Sequence, residues 1–156
     1  MLNKVDFPLT TSQISEFVLT EGYTDYLKLQ MALSDMVESN LLIIESTHSR
    51  TLYYLTNEGS DTIALFENNI SPAIQSDIDH YLKHRYFDLK EESGIKSSYH
   101  QKANGEYLVH CQIMENGASL IDLKLTIPTK KEATALASNW NRKGQQLYTS
   151  LLTELL

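Results

Sequence analysis

One cysteine, three prolines and six glycines are few for 156 residues, and each scarcity closes a class of structure. With Cys111 alone, an internal disulfide, a CxxC redox pair and a cysteine-rich zinc site are all impossible, which agrees with a reducing, cytoplasmic setting. So little proline and glycine, beside 42% hydrophobic and 21% charged residues, is a folding composition and not a disordered one. Nowhere does an apolar run approach the roughly 20 residues that cross a bilayer, and the N-terminus lacks the basic-then-apolar order of a secretory signal. No Walker loop, GxSxG elbow, HExxH helix or dinucleotide glycine fingerprint occurs, so no enzyme and no cofactor is expected.

Positive charge is scarce where it would matter most. Residues 1–60 carry Lys4, Lys28 and Arg50 against eight carboxylates, a balance of −5 within a chain total of −7. Residues 124–143 hold Lys124, Lys130, Lys131, Arg142 and Lys143 against Glu132, a balance of +4. Phosphate binding depends on Lys and Arg displacing counterions, so the acidic first part opposes non-specific attraction to nucleic acid. The basic run fits the exposed face of a helix whose other side packs.

Hydropathy patterning then gives the elements. Pro8 limits Met1–Phe7 to a turn or two. Thr10 and Gln13 form the S/T-x-x-Q capping signature ahead of Ile14, Phe17 and Val18, and Gly22 ends that helix. A second helix, capped by Thr24, spaces Tyr26, Leu29, Leu33, Met36, Val37 and Leu41 three or four apart, and Asn40 takes the left-handed exit. Leu42–Glu45 and Thr51–Leu55 are β-prone runs around the polar Thr47-His48-Ser49-Arg50, which predicts a hairpin. Thr56 caps a long helical stretch in which Ile63, Phe66, Ile70, Ile74, Ile78, Tyr81 and Leu82 hold phase past Pro72. Unbroken phase favours one kinked helix; the alternative has Ser71 capping a new helix with Pro72 in its first turn.

Beyond the charged stretch Asp88–Gly94 the period changes. Asn104-Gly105 and Asn116-Gly117 separate strand-like runs and predict a three-stranded antiparallel meander from about Ile95 to Ile127. Val109, Cys111 and Ile113 share one face with Tyr107, as do Ile121, Leu123, Leu125 and Ile127. Thr129 and Glu132 open a final helix lined by Ala133, Leu136, Ala137, Trp140, Leu147, Leu151 and Leu155, whose leucine-rich end is expected to be buried, within the chain or against a second copy. The expected architecture is α+β: an N-terminal winged helix-turn-helix with a long linking helix over residues 1–85, then the meander and C-terminal helix as an accessory domain over 86–156.

Helix, tight turn, helix, hairpin, helix is the winged-helix plan, and Leu33-x-x-Met36-Val37-x-x-Asn40-Leu41-Leu42 resembles the end of its second, recognition helix. Tyr54-Leu55-Thr56-x-Glu58-Gly59 resembles the wing exit of the bacterial multiple-antibiotic-resistance and phenolic-acid-response regulators. More closely, Lys4-Val5-Asp6-Phe7-Pro8-Leu9-Thr10, Glu45-Ser46-Thr47-His48 and the trailing meander resemble an uncharacterised bacterial winged-helix family, a domain of unknown function described only as candidate regulators. Such proteins begin with a full apolar helix before the Lys-x-Asp-Phe-Pro segment, which implies a natural start earlier than Met1.

A recognition helix enters the major groove while the wing meets backbone or minor groove, and here Lys28, Gln30, Ser34, His48 and Arg50 would do so. Asp25 and Asp35 on the same helix would repel phosphate. Double-stranded DNA and a second copy of the chain are therefore the expected partners, with a small effector or another protein as further candidates and no membrane. The dimer expectation rests on the leucine-rich C-terminus and on a helix from Thr56 to about Arg85, longer than one small domain covers at ~1.5 Å per residue. His80 and His84, i and i+4 with Asp77 a turn earlier, supply metal-ligand spacing but no third ligand, so no metal is assigned. His110 and Cys111 are strand neighbours that point to opposite faces, which precludes a nucleophile–base dyad. The rival to a DNA-binding regulator is a winged helix that docks another protein through its acidic face.

Overall fold

The computed structural model describes residues 1–46 and 50–156, in an α+β fold with five α-helices and two three-stranded antiparallel sheets among those residues. They form two compact units, Met1–Leu89 and Lys90–Leu156. No helix among the described residues is long and apolar enough to cross a membrane.

In the first unit, a single turn at Leu2–Lys4 leads to β1 (Leu9–Thr10) and α1 (Thr11–Thr20). The expected capping box is formed: the Gln13 amide donates to the Thr10 hydroxyl at 3.2 Å, and the Thr10 amide donates to Gln13 Oε1 at 2.8 Å. Gln13 is itself buried and passes its other end to the Leu89 carbonyl, 2.9 Å away, so the cap of one helix ties down the end of another. Residue pattern did not disclose β1, because two residues are too few to alternate; Leu9 is nonetheless fully buried.

Helix α2 (Tyr26–Glu38) ends at Asn40, whose φ of +56° is the left-handed exit that its sequence predicts. Its N-cap differs from expectation: Asp25, not Thr24, accepts from the Lys28 amide at 2.9 Å. Strands β2 (Leu42–Ser46) and β3 (Thr51–Leu55) pair with Leu42 opposite Leu55 and Ser46 opposite Thr51, and β1 adds to the far side of β3, giving the order β1-β3-β2. Thr56 then caps α3 (Asn57–Phe66), accepting from the Gly59 amide at 2.9 Å while its hydroxyl donates toward the Asn40 carbonyl at 2.7 Å. Gly59 is buried against the chain that leaves α2. A Cβ at this position would fall inside the contact radius of the Leu41 carbonyl oxygen and 2.7 Å from Leu55 Cδ1.

The long kinked helix is not formed. Helix α3 stops at Phe66, a single turn follows at Glu67–Asn69, Ile70 is extended, and α4 runs from Pro72 to Ser93. Proline lacks the amide that a continuous helix requires, while a first-turn proline costs nothing. The Ile74 amide donates to the Ser71 hydroxyl at 3.3 Å, and Gln75 Nε2 donates to the carbonyls of Glu67 and Ile70, both at 3.0 Å, which holds the corner. Apolar phase misled because Ile74 and Ile78 serve α4 alone. Beyond Arg85 the helix continues through the charged stretch expected to be a boundary, since Leu89 among those charges is fully buried.

Phe7, Leu9, Ile14, Leu29, Leu33, Leu42, Tyr53, Leu82 and Leu89 make the core of this unit. Around its rim Tyr86 donates to Asp6 at 2.6 Å and Tyr23 to Asp77 at 2.6 Å, while Arg85 pairs with Glu16 and Lys4 with Asp79.

The second unit contains β4 (Ile95–Gln101), β5 (Tyr107–Glu115) and β6 (Ala118–Ile127) in the order β4-β5-β6, the expected meander. Its two Asn-Gly pairs do different work. Asn116 and Gly117 both have positive φ, +50° and +79°, as a two-residue type I′ turn demands. At Asn104-Gly105 only the glycine does, at +89°, within a wider loop closed by the Lys102 amide on the Glu106 carbonyl at 2.7 Å.

Helix α5 (Lys130–Leu155) covers one face of this sheet, starting where the Glu132 amide donates to Thr129 at 3.3 Å. Ala133, Ala137, Trp140 and Gly144 lie buried on the helix side, and Val109, Cys111 and Ile113 on the sheet side. Trp140 Nε1 donates to the Gln112 carbonyl at 3.2 Å, and Ser97 donates to Asn141 Oδ1 at 2.9 Å. The leucine-rich end is not buried within the chain: Leu151 is 44% exposed and Leu155 77%. The reason is length. A helix of 26 residues extends ~39 Å, whereas the nine residues of β5 extend about 30 Å, so the sheet runs out beneath it.

Candidate nucleic-acid interface

Helix α2 sets out the candidate surface by its periodicity. Leu29 and Leu33 are buried with Met36 and Val37 half-buried beside them, which fixes the inward stripe. Directly opposite lie Leu27 and Met31, 73% and 66% exposed, followed one turn later by the exposed Ser34, Asp35 and Glu38. Tyr26, expected on the inward stripe, is exposed.

Lys28 stands at the edge of that face and is already engaged. Its ammonium lies 3.0 Å from Asp25 Oδ2, and the Asp25 carboxyl is held below its ordinary range first by the Lys28 amide and then by the Lys28 side chain. Gln30 is half-buried with its amide nitrogen enclosed. Ser34 is exposed on the outward face. Thus α2 brings Lys28 and Ser34 to one accessible side and turns Gln30 partly inward.

Of the hairpin candidates, Arg50 lies among the described residues. His48 lies outside the described residues. Arg50 is half-buried, and its charge and that of Glu45 both act on the buried Tyr54. Burial first, then Glu45, raises the Tyr54 phenol far above the ordinary range, with Arg50 opposing. The guanidinium is therefore set among Glu45 and Tyr54 and is not a free surface cation.

Other groups singled out in the sequence resolve differently. The rings of His80 and His84 lie 4.3 Å apart, but the Asp77 carboxylate accepts from Tyr23, and no group of three or more His, Cys, Asp or Glu suited to a metal occurs among the described residues. Cys111 is fully buried and its thiol is pushed up to about 11 by that burial. On the opposite side of the strand His110 Nε2 lies 2.9 Å from Asp122 Oδ1, and Gln112 donates to the other oxygen at 2.7 Å. That trio depresses the Asp122 carboxyl, through His110 foremost. Lys124, Lys130, Lys131, Arg142 and Lys143 are all exposed.

Leu27 and Met31 are the surface residues that sequence reasoning passed over. Their signal was present as an i, i+4 pair out of phase with Leu29 and Leu33.

Residues 1–155 match a protein family described as Domain of unknown function (DUF4364). The chain matches no curated protein and no solved structure.

Proposed function

We propose that this chain, which belongs to the DUF4364 family, is a cytoplasmic winged-helix regulator that binds duplex DNA as a homodimer and performs no catalysis. The observation that carries the reading is the order α1, tight turn, α2, β2, β3 with β1 added outside β3. In the winged-helix interpretation α2 is the recognition helix and the β2–β3 hairpin the wing, so Lys28, Ser34 and the half-buried Gln30 would meet the major groove and His48 and Arg50 the backbone, with Lys28 and Arg50 exchanging their acidic neighbours Asp25 and Glu45 for phosphate. Two copies reading two half-sites would double a sparse set of phosphate contacts. Residues 90–156 then form the accessory unit, with room for effector or subunit contacts. The exposed Phe87 on α4 and the leucine end of α5 are candidate dimer surfaces.

A selection from random duplexes at low and physiological salt tests this. A palindromic motif should emerge, and Lys28→Ala and Arg50→Ala should each weaken binding across sequences and lower the salt slope by about one. Failure to enrich any motif, with residual binding indifferent to both substitutions, overturns the DNA reading. Light scattering at several concentrations should give twice the chain mass; a monomer throughout overturns the dimer.

A second reading has its own support: the outward face of α2 centres on Leu27 and Met31, and its one lysine is paired with Asp25. Those are the properties of a surface that docks protein.

A further inference from the structure

We infer that the outward face of α2 receives a basic amphipathic helical segment of another polypeptide, its apolar residues on Leu27 and Met31 and its lysines or arginines on Asp35 and Glu38. The inference rests on the protein-docking reading, which excludes DNA contact through this same face, and names the class of partner.

Chemistry along the helix decides the partner. Between Tyr26 and Glu38 the outward side begins apolar and ends acidic: Leu27 and Met31 are exposed by about seven and six and a half tenths, and Asp35 and Glu38 follow at i+4 and i+7 from Met31. Asp25 and Lys28 cancel each other at the start, 3.0 Å apart, so the face has net negative charge only at its far end. Leu27, Met31 and Asp35 stand four residues apart along one line of α2, so a helix laid along that line meets the apolar pair first and the carboxylates next. Leucine and methionine are large, and methionine adapts its shape to more than one apolar partner. Water-exposed apolar area of this kind, rimmed by charge, marks protein contact more often than solvent-facing helix.

Other occupants fit less well. Duplex DNA would bring phosphates to Asp35 and Glu38 with a single, already paired lysine to offset them. An anionic lipid surface meets the same repulsion. An α2-to-α2 contact between two copies brings only the same one lysine and leaves the acidic end uncompensated, whereas the basic, leucine-bearing α5 of a second copy shares the chemistry of the inferred partner, and light scattering separates that outcome from a foreign peptide. Cations on the partner, one turn beyond its apolar anchors, satisfy both parts of the face.

The experiment displays a library of helical peptides in which apolar, acidic and basic positions vary independently, with the full chain as bait. Selected peptides are then titrated by fluorescence anisotropy against wild type, the Leu27→Ser/Met31→Ser chain and the Asp35→Lys/Glu38→Lys chain. All of these changes are on exposed positions, and circular dichroism verifies that each chain is folded. The expected result is enrichment of peptides joining Leu, Ile or Phe to Lys or Arg, at least about tenfold weaker binding to either variant, and weakening with salt. The lysine variant should select acidic peptides instead. Enrichment that needs Leu27 and Met31 but ignores peptide charge overturns the partner class while leaving protein docking standing. No peptide that depends on α2 overturns both. Duplex DNA binding abolished by Leu27→Ser/Met31→Ser assigns the face to the groove and overturns the inference.

Discussion

Thr56 performs two tasks with one hydroxyl. It receives the Gly59 amide at the start of α3 and gives its proton toward Asn40 at the end of α2, so two helix termini share one side chain. Thr56→Ala should lower stability by about 1–2 kcal/mol, the upper part of the range for a lost cap, because a carbonyl partner is lost along with an amide one. Chemical denaturation measures it, and Thr56→Ser should restore most of the difference. This position was legible in the sequence, as were Thr10 and Thr129, because a cap and its partner stand three residues apart. Asp25 was not, since Thr24 beside it is an equally good capping type and only the true start of α2 separates them. Nor could spacing show that Lys28 would spend its charge on Asp25.

Elements were read correctly where local chemistry marks their ends and incorrectly where periodicity alone was used. The Asn-Gly turns and the alternation of Val109, Cys111 and Ile113 disclosed the meander. By contrast, Ile63 through Leu82 kept a helical rhythm across a break, because α3 and α4 happen to present apolar residues in compatible phase. Periodicity also placed Leu147, Leu151 and Leu155 under cover without asking how far the cover extends. Since the last two turns of α5 have nothing of their own unit beneath them, Leu151→Lys with Leu155→Lys should change the thermal stability of the second unit within a single chain by no more than about 0.5 kcal/mol, and a larger, concentration-dependent loss would report burial of that end against a second copy. A thermal melt followed by Trp140 fluorescence reads this, because Trp140 is buried in that same unit.

At the scale of the molecule, the charge asymmetry seen in the sequence persists as two chemically distinct units: an acidic first unit and a second whose exposed α5 face is basic. Alkaline pH should act on both: on the second through the buried Cys111 thiol, raised from 9.0 to about 11, and on the first through its phenols. Tyr86, which donates to Asp6, is raised to about 12 by burial first and Asp6 next, against 10.0 for a free phenol. A pKa raised on folding contributes stability that is fully present below pH 10 and is lost as pH climbs through about 12. The urea midpoint of the first unit should therefore hold up to about pH 10 and fall above it, and Tyr86→Phe should lessen that fall by the Tyr86 share, Tyr23 and Tyr54 supplying the rest, while lowering the neutral-pH midpoint. The candidate interface was half legible: its helix and its charge deficit were evident, but which residues face outward depended on the burial of Leu29 and Leu33.

At Gly59 the packing also limits evolution. Its neighbours leave no volume for even a methyl group, and the nearest of them, the Leu41 oxygen, belongs to the backbone and has no smaller variant to retreat to. Shortening Leu55 would relieve only one of the two obstructions. Ancestral and descendant sequences that keep this join between α2, β3 and α3 are thus confined to glycine at residue 59, whatever drift does to the surface around it.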